Sequence, residues 1–217
     1  APPDEVRGLR TAAQPLPLPI APLDLSLLPS PYLNYVLPAS PDGSVWLETL
    51  RGCPFHCGYC HYGKRYGRPR LFPPDWLPRH LSWALREGIG EIYLMDPSFN
   101  VRPDWELTLK ALETGNPERG ISLYTELVAD ALRPGDGARL AAAGLRSCEV
   151  GLQSVREAPL AAVGRSWNRG KWIAGVRDLT DAGILVSVGV IAGLPGDDLG
   201  GFQETVAFVQ REAPDAS

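Results

Sequence analysis

Glu48 to His61 reads ETLRGCPFHCGYCH. Three of the chain's four cysteines, Cys53, Cys57 and Cys60, stand in it with the spacing C-x3-C-x2-C, and an aromatic, Tyr59, precedes the last. Three thiolates this close together can hold one metal centre from one loop. The apolar residues just upstream, Val45, Trp46 and Leu47, read as the strand that delivers the loop. The rest of the sequence reads as a scaffold and a chamber around it.

Outward from the loop, strand and helix signals alternate. The first strand is placed at Val45–Leu50. A helix follows from Asp75, with Leu77, Leu81 and Leu85 spaced by four. The second strand is Glu91–Met95. A helix opens at Pro103, where proline suits the first turn, and Trp105, Leu109 and Leu112 fall on one face. The third strand is Ile121–Tyr124, and a short helix covers Gly137–Ala143. The fourth strand is Ser147–Leu152. A helix over Gly170–Asp181 aligns Trp172, Val176 and Leu179 and ends at Gly183. The fifth strand is Ile184–Val190. The last helix, Gly200–Arg211, presents Phe202, Val206 and Val209 as its buried stripe. Five β-α units in a row imply a parallel sheet, either open and doubly wound or part of a β/α barrel.

In both folds ligands sit at the C-terminal ends of the strands. The distinctive polar residues fall there: Asp96-Pro97-Ser98 after the second strand, Glu126 after the third, Gln153-Ser154 after the fourth, Gly193-Leu194-Pro195-Gly196 after the fifth. With the cysteine loop after the first strand, they face one mouth.

Three cysteines fit an iron–sulfur cube with one iron left open, because a [4Fe–4S] cluster has four irons to ligate. Cys148 is a poor fourth ligand, since it lies at the start of the fourth strand, opposite the mouth. The competing reading is a non-catalytic Cys3His zinc module drafting His56 or His61. Zinc sites usually take two ligands from each of two loops, and here all three thiolates share one.

CPFHCGYC resembles the C-x3-C-x-aromatic-C signature of the radical S-adenosylmethionine (radical SAM) enzymes. LETLRGCPFHCGYC looks most like the branch that carries an upstream cobalamin-binding domain, and LLPSPYL at 27–33 is similar to the connector between the two domains. The resemblance covers about residues 30–212. It implies a partial (β/α)6 TIM-like barrel with about five β-α units present, in which Cys53, Cys57 and Cys60 hold a [4Fe–4S] cluster. It also implies reductive cleavage of S-adenosylmethionine to a 5′-deoxyadenosyl radical, hydrogen abstraction and, in cobalamin-dependent members, methyl transfer. Implied partners are a small-molecule or peptide substrate, an electron donor such as flavodoxin or ferredoxin, and an upstream cobalamin domain. The alternative within the family is a cobalamin-free oxidoreductase similar to coproporphyrinogen dehydrogenase.

Residue by residue, Tyr59 matches the aromatic near the adenine. Asp96, Pro97 and Ser98 occupy the slot of a Gly-Gly-Glu-like segment whose backbone binds the methionine amino group; a turn capped by Asp96 or Ser98 reads equally well. Glu126, Gln153 and Arg165 keep the register of residues that contact the cofactor's ribose or carboxylate, and an Arg fork suits a carboxylate. Ile191 and Gly193, in GVIAGLPG, match the strand-five segment that approaches the adenine. Glu149 is expected to point elsewhere and to be structural. The run His61, Tyr62, Lys64, Arg65, Tyr66, Arg68, Arg70 reads as a solvated loop or as a face for an anionic partner.

Composition bounds the rest. With 217 residues, 44% of them hydrophobic and 21% charged, the chain builds one large domain or one domain with an appendage. A net charge of −4 argues against a broad nucleic-acid surface. The apolar run Ile184–Leu194 is about half the ~20 residues that cross a bilayer, and no basic secretory leader precedes the prolines. Clustered cysteines outside a disulfide pattern fit the cytoplasm. Residues 1–42 hold 10 of the 22 prolines and read as an extended strap or linker from an upstream domain. Residues 43–217 read as the core, ending before a sixth strand.

Overall fold

The computed structural model describes residues 24–62 and 68–216. Seven strands are present among them: β1 (Ser44–Leu47), β2 (Leu50–Arg51), β3 (Arg70–Leu71), β4 (Glu91–Leu94), β5 (Ser122–Leu127), β6 (Leu145–Gln153) and β7 (Leu185–Val190). The helices are α1 (Trp76–Glu87), α2 (Trp105–Gly115), α3 (Asp136–Ala142), α4 (Glu157–Ala162), α5 (Arg169–Asp181) and α6 (Leu199–Glu212). Five strands form one parallel sheet in the order β1-β4-β5-β6-β7. β2 and β3 make a separate antiparallel ribbon that flanks the cysteine loop.

One-sided burial decides between the two architectures left open by the alternation. Val45, Leu47, Ile92, Leu94, Leu123, Cys148, Val150 and Val186 share one cluster with Leu81, Leu109, Leu140, Trp172 and Phe208 of the helices. The alternate strand positions, Trp46, Glu126, Glu149, Leu185 and Ser187, are exposed. Helices therefore cover one face only, as in the wall of a β/α barrel, where a doubly wound sheet would be covered on both. β1 and β7 are not paired with each other, so the wall is a partial barrel.

Several boundaries depart from the sequence expectations. The first strand stops at Leu47 because the next amides leave the ladder. Thr49 N and Leu50 N donate to Asp96 Oδ1 at 2.8 and 3.1 Å. The helix stripe through Leu85 breaks, because four-residue steps drift around a 3.6-residue helix. Ala84 is buried in its place and Leu85 is 45% exposed. The α6 stripe is shifted by one: Gly201, Thr205 and Phe208 are buried, with Phe208 against Trp167 and Trp172 at ring-centroid separations of 5.6 and 5.7 Å. Helix α4 and the β2–β3 ribbon had no sequence expectation.

Of the proline-rich stretch, residues 1–23 lie outside the described residues. The part from 24 onward is less extended than proline content suggests, with a single 3-10 turn at Leu25–Leu27 capped by Asp24. It is moored to α1 and β1. Ser30 Oγ lies 2.7 Å from His80 Nε2, Tyr32 packs on Trp83 at 5.5 Å, and Trp46 N donates to Tyr32 Oη at 3.2 Å. Among the described residues no helix is long and apolar enough to cross a membrane.

Candidate active site

The cysteine loop leaves β2 through Gly52, whose φ of 111° lies in the left-handed region, and is pinned from the far side by the segment after α4. Gly58 N donates to Val163 O at 2.6 Å, and a Cβ on Gly58 would sit 3.3 Å from Val163 Cα. Cys53 and Cys57 are each 8% exposed and Cys60 is half-buried. All three line one cavity of about 210 Å³.

The thiols carry the electrostatic mark of crowding. Burial pushes the Cys53 thiol up; the Phe55 amide and the Ser98 hydroxyl pull it back, while charge on Cys57 and Cys60 pushes it further up. A cation among them would remove that repulsion, and soft thiolates suit zinc or an iron–sulfur cluster. The sulfurs are not preassembled. Among the described residues no three Cys, His, Asp or Glu side chains are gathered in a metal-holding arrangement. His56 and His61 are exposed, and neither lines the cavity.

The opposite wall is built by the end of β6. The β6–β7 register shifts between Gly151 and Gln153, and Gln153 sits at a φ of 67°, a conformation that costs a non-glycine residue of order 1–3 kcal/mol. This bulge carries Gln153 into the cavity lining beside Gly151 and Arg165. Arg165 Nη2 donates to Gly151 O at 2.9 Å, and Nη1 reaches Tyr59 Oη at 3.4 Å and Cys57 Sγ at 4.0 Å. Burial pushes the Tyr59 phenol up to about 12 against the pull of Arg165, so the ring keeps its proton. Two buried polar atoms here have no protein partner, Gln153 Oε1 and Arg165 Nε. Buried polar atoms are normally satisfied, so the cavity has room for a ligand with a donor and an acceptor.

The remaining expected residues are placed as follows. Glu126 and Pro97 line the cavity. Ser98 is fully buried, with Oγ 3.8 Å from Cys53 Sγ. The Asp96 side chain is not in the lining; it accepts from Thr49 N, Thr49 Oγ1 and Leu50 N and pairs with Arg102 at 3.3 Å. Ile191 packs instead against Leu160, Val163 and Leu194, and its N–H donates to Gln153 O at 2.9 Å. Gly193, at a φ of 80°, turns the chain after β7 and is not in the lining. Glu149 lines the cavity, contrary to expectation: it lies four residues before Gln153, and an even spacing along a strand puts both on one face. Cys148 is fully buried, its thiol pushed up to about 12 by burial, and it is not in the lining.

Of the basic, aromatic run, Lys64, Arg65 and Tyr66 lie outside the described residues. Tyr62 Oη accepts from Gly52 N and donates to Glu48, so it braces the loop. Phe55 in the lining and the clamp on Asp96 were missed by the sequence reading. Phe55 sits inside the motif, and the clamp needs contacts 46 and 47 residues apart.

The family model described as the Radical SAM superfamily matches residues 47–209. A tRNA-2-methylthio-N(6)-dimethylallyladenosine synthase of Symbiobacterium thermophilum is 25% identical over 204 residues, 84% of this chain and 43% of that protein. A cobalamin-dependent radical SAM methyltransferase, TokK, of Streptomyces tokunonensis is 30% identical over 89 residues, 35% of this chain and 12% of that protein. The solved methyltransferase TsrM of Kitasatospora setae, with tryptophan substrate and a SAM analogue bound, superposes with a TM-score of 0.71 at 19% identity. It covers 78% of this chain and 34% of its own. The chain thus spans less than half the length of these relatives.

Proposed function

We propose a function from one premise: the chain belongs to the radical SAM superfamily. In this reading it is the core of an enzyme in which Cys53, Cys57 and Cys60 hold a [4Fe–4S] cluster and the adjoining wall binds S-adenosylmethionine. The observation that carries it is the single cavity shared by the three cysteines, Gln153 and Arg165, the last two with buried atoms lacking a protein partner.

When bound, the cluster supplies one electron and one open iron for the reductive cleavage of S-adenosylmethionine, the chemistry this family uses. The chain's own residues do the rest. Arg165 presents a planar fork suited to a carboxylate, anchored by its bond to Gly151 O. Gln153 offers an acceptor and Tyr59 an aromatic edge. Glu126, whose register the family uses for the cofactor's ribose or carboxylate, lines the same cavity, as does Pro97, and Ser98 Oγ lies 3.8 Å from Cys53 Sγ. The β6 bulge sets the Gln153 position, and a reactive radical requires a chamber closed to water.

Methyl transfer with cobalamin held on a domain outside these residues is the finer reading. The methyltransferase relative named as cobalamin-dependent supports it, as does the strap at 24–42 that packs on the core. An electron donor such as flavodoxin or ferredoxin completes the cycle. Four free cysteines support a reducing, cytoplasmic setting. Substrate identity does not transfer: one relative is named for a tRNA adenosine product and another is solved with tryptophan.

Anaerobically purified protein, reduced with dithionite and given S-adenosylmethionine, is expected to release methionine and 5′-deoxyadenosine. Reconstituted protein that leaves the cofactor intact sinks the proposal. Gly151 supplies a finer check. A Cβ there would come within 2.6 Å of Gln153 Nε2 and 3.1 Å of Arg165 Nη2. Both are ends of flexible side chains, so Gly151→Ala is expected to fold but to displace them. Its S-adenosylmethionine dissociation constant, read by equilibrium dialysis, should rise about tenfold or more.

A further inference from the structure

The end of β4 sends one hydroxyl to the back of the cysteine loop and seals it there. Ser98 is fully buried, and the partner of its hydroxyl is the Cys53 thiol, Oγ to Sγ 3.8 Å. A buried hydroxyl needs such a partner. In the free protein either group can donate. A cysteine that holds metal does so as the thiolate, which has no proton to give. With metal on Cys53, the Ser98 hydroxyl is therefore the donor and the sulfur the acceptor.

Both ends of this contact are tied to one residue. Asp96, two positions before Ser98, accepts from Thr49 N and Leu50 N at 2.8 and 3.1 Å, and Cys53 follows Leu50 by three. On the far side of Ser98, Phe99 N donates to Glu126 O at 3.0 Å and Val101 N to Ser98 O at 2.9 Å. The backbone that carries the hydroxyl is thus held before and after it. Ser98 is also absent from the cavity lining, whereas Cys53 is part of it. The hydroxyl stands on the protein side of the sulfur, away from the cofactor's place. Arg165 is different. Its Nη1 lies 4.0 Å from Cys57 Sγ, but its fork is shared with Tyr59 Oη and Gly151 O and lines the cavity.

We propose that Ser98 is a positioning residue for the electron-transfer step: its hydroxyl donates to the Cys53 sulfur and raises the reduction potential of the cluster that Cys53 holds. Reduction by the external electron donor adds one negative charge to the cluster, part of it on the thiolate sulfurs. A donor at a sulfur gains strength as that charge grows, so it favours the reduced state. Hydrogen bonds to the sulfurs are among the terms that set such potentials, and a water-poor setting strengthens them. The inference rests on the cluster reading proposed above and adds to it a residue that acts through its ligand.

The test is a redox titration of anaerobically reconstituted protein, followed by electron paramagnetic resonance. It is run without S-adenosylmethionine, so that cofactor contacts do not enter. Ser98→Ala is expected to keep its iron and to be reduced at a more negative potential. The reduction equilibrium should fall about tenfold, which is about 59 mV for one electron. Cys148→Ala, equally buried but outside the cavity lining, should leave the potential where it is. A Ser98→Ala potential equal to or above that of the unmodified protein would overturn the inference. So would an equal fall in Cys148→Ala, or loss of most of the iron from Ser98→Ala, which would make the hydroxyl a folding requirement of the loop. Iron and 5′-deoxyadenosine are measured on the same preparations. Unmodified protein without iron or cleavage fails the radical reading as a whole, whereas iron and cleavage with an unmoved Ser98→Ala potential fail this inference alone.

Discussion

Cys57→Ala is expected to abolish both iron loading and 5′-deoxyadenosine formation. Cys57 is 8% exposed on the cavity wall, with Sγ 4.0 Å from the Arg165 guanidinium. Removing it leaves two thiolates for a cube of four irons, and no exposed histidine nearby lines the cavity to replace it. Iron after anaerobic reconstitution should fall from about four per chain to a trace. Cys148→Ala is the matched control. That thiol is fully buried in the helix-side core, so its loss should cost stability, about 1–2 kcal/mol for a small cavity, and leave iron intact. A Cys57→Ala protein that keeps its iron and cleaves the cofactor contradicts the ligand assignment.

The second large effect is expected at Asp96, a site of stability rather than chemistry. Its carboxylate is completely buried. It takes the amides of Thr49 and Leu50 and the Thr49 hydroxyl, and it faces Arg102, whose side chain is 3% exposed. Burial pushes the Asp96 carboxyl up, and those four donors pull it back toward the charged form. Asp96→Ala strands two buried amides and half the neutralisation of Arg102, leaving only Asp104 at 2.7 Å. Breaking such a buried pair costs about 3–5 kcal/mol. Asp96→Asn keeps an acceptor for the amides and should lose about 1–3 kcal/mol. Urea unfolding reads both. A loss under about 1 kcal/mol for Asp96→Ala would mean the clamp does not hold the strand end. Because Cys53 lies three residues beyond Leu50, the same variant should also load iron poorly.

The parts of this protein that were legible in the sequence are those with local signals. The cysteine spacing, the periodic stripes of α2 and α5, and the strand–helix alternation all lie within a few residues of one another. Trp172, Val176 and Leu179 are buried as their spacing requires. What escaped depends on distant partners. The first strand ends early because Asp96 captures its amides from the next β-α unit. The α6 stripe rotates because Trp167 and Trp172 draw in Phe208. Helix α4 is short, with a proline at Pro159, and its role of pinning Gly58 through Val163 spans 105 residues of chain. Glu149 is a different case. Strand alternation was expected to turn it away from the mouth, yet its even spacing from Gln153 puts both on the cavity face. At the mouth, Glu126, Gln153 and Arg165 come together in one cavity, whereas Asp96 turns out of it and Ile191 packs beside it.

The central claim is that Cys53, Cys57 and Cys60 hold a cluster with one iron open to S-adenosylmethionine. Electron paramagnetic resonance of the anaerobically reconstituted, dithionite-reduced protein tests it most directly, with iron and zinc counted on the same sample. The account predicts about four irons per chain and a reduced-cluster signal whose g values shift when S-adenosylmethionine is added. One zinc per chain with no signal, or a cluster signal indifferent to S-adenosylmethionine, would contradict it.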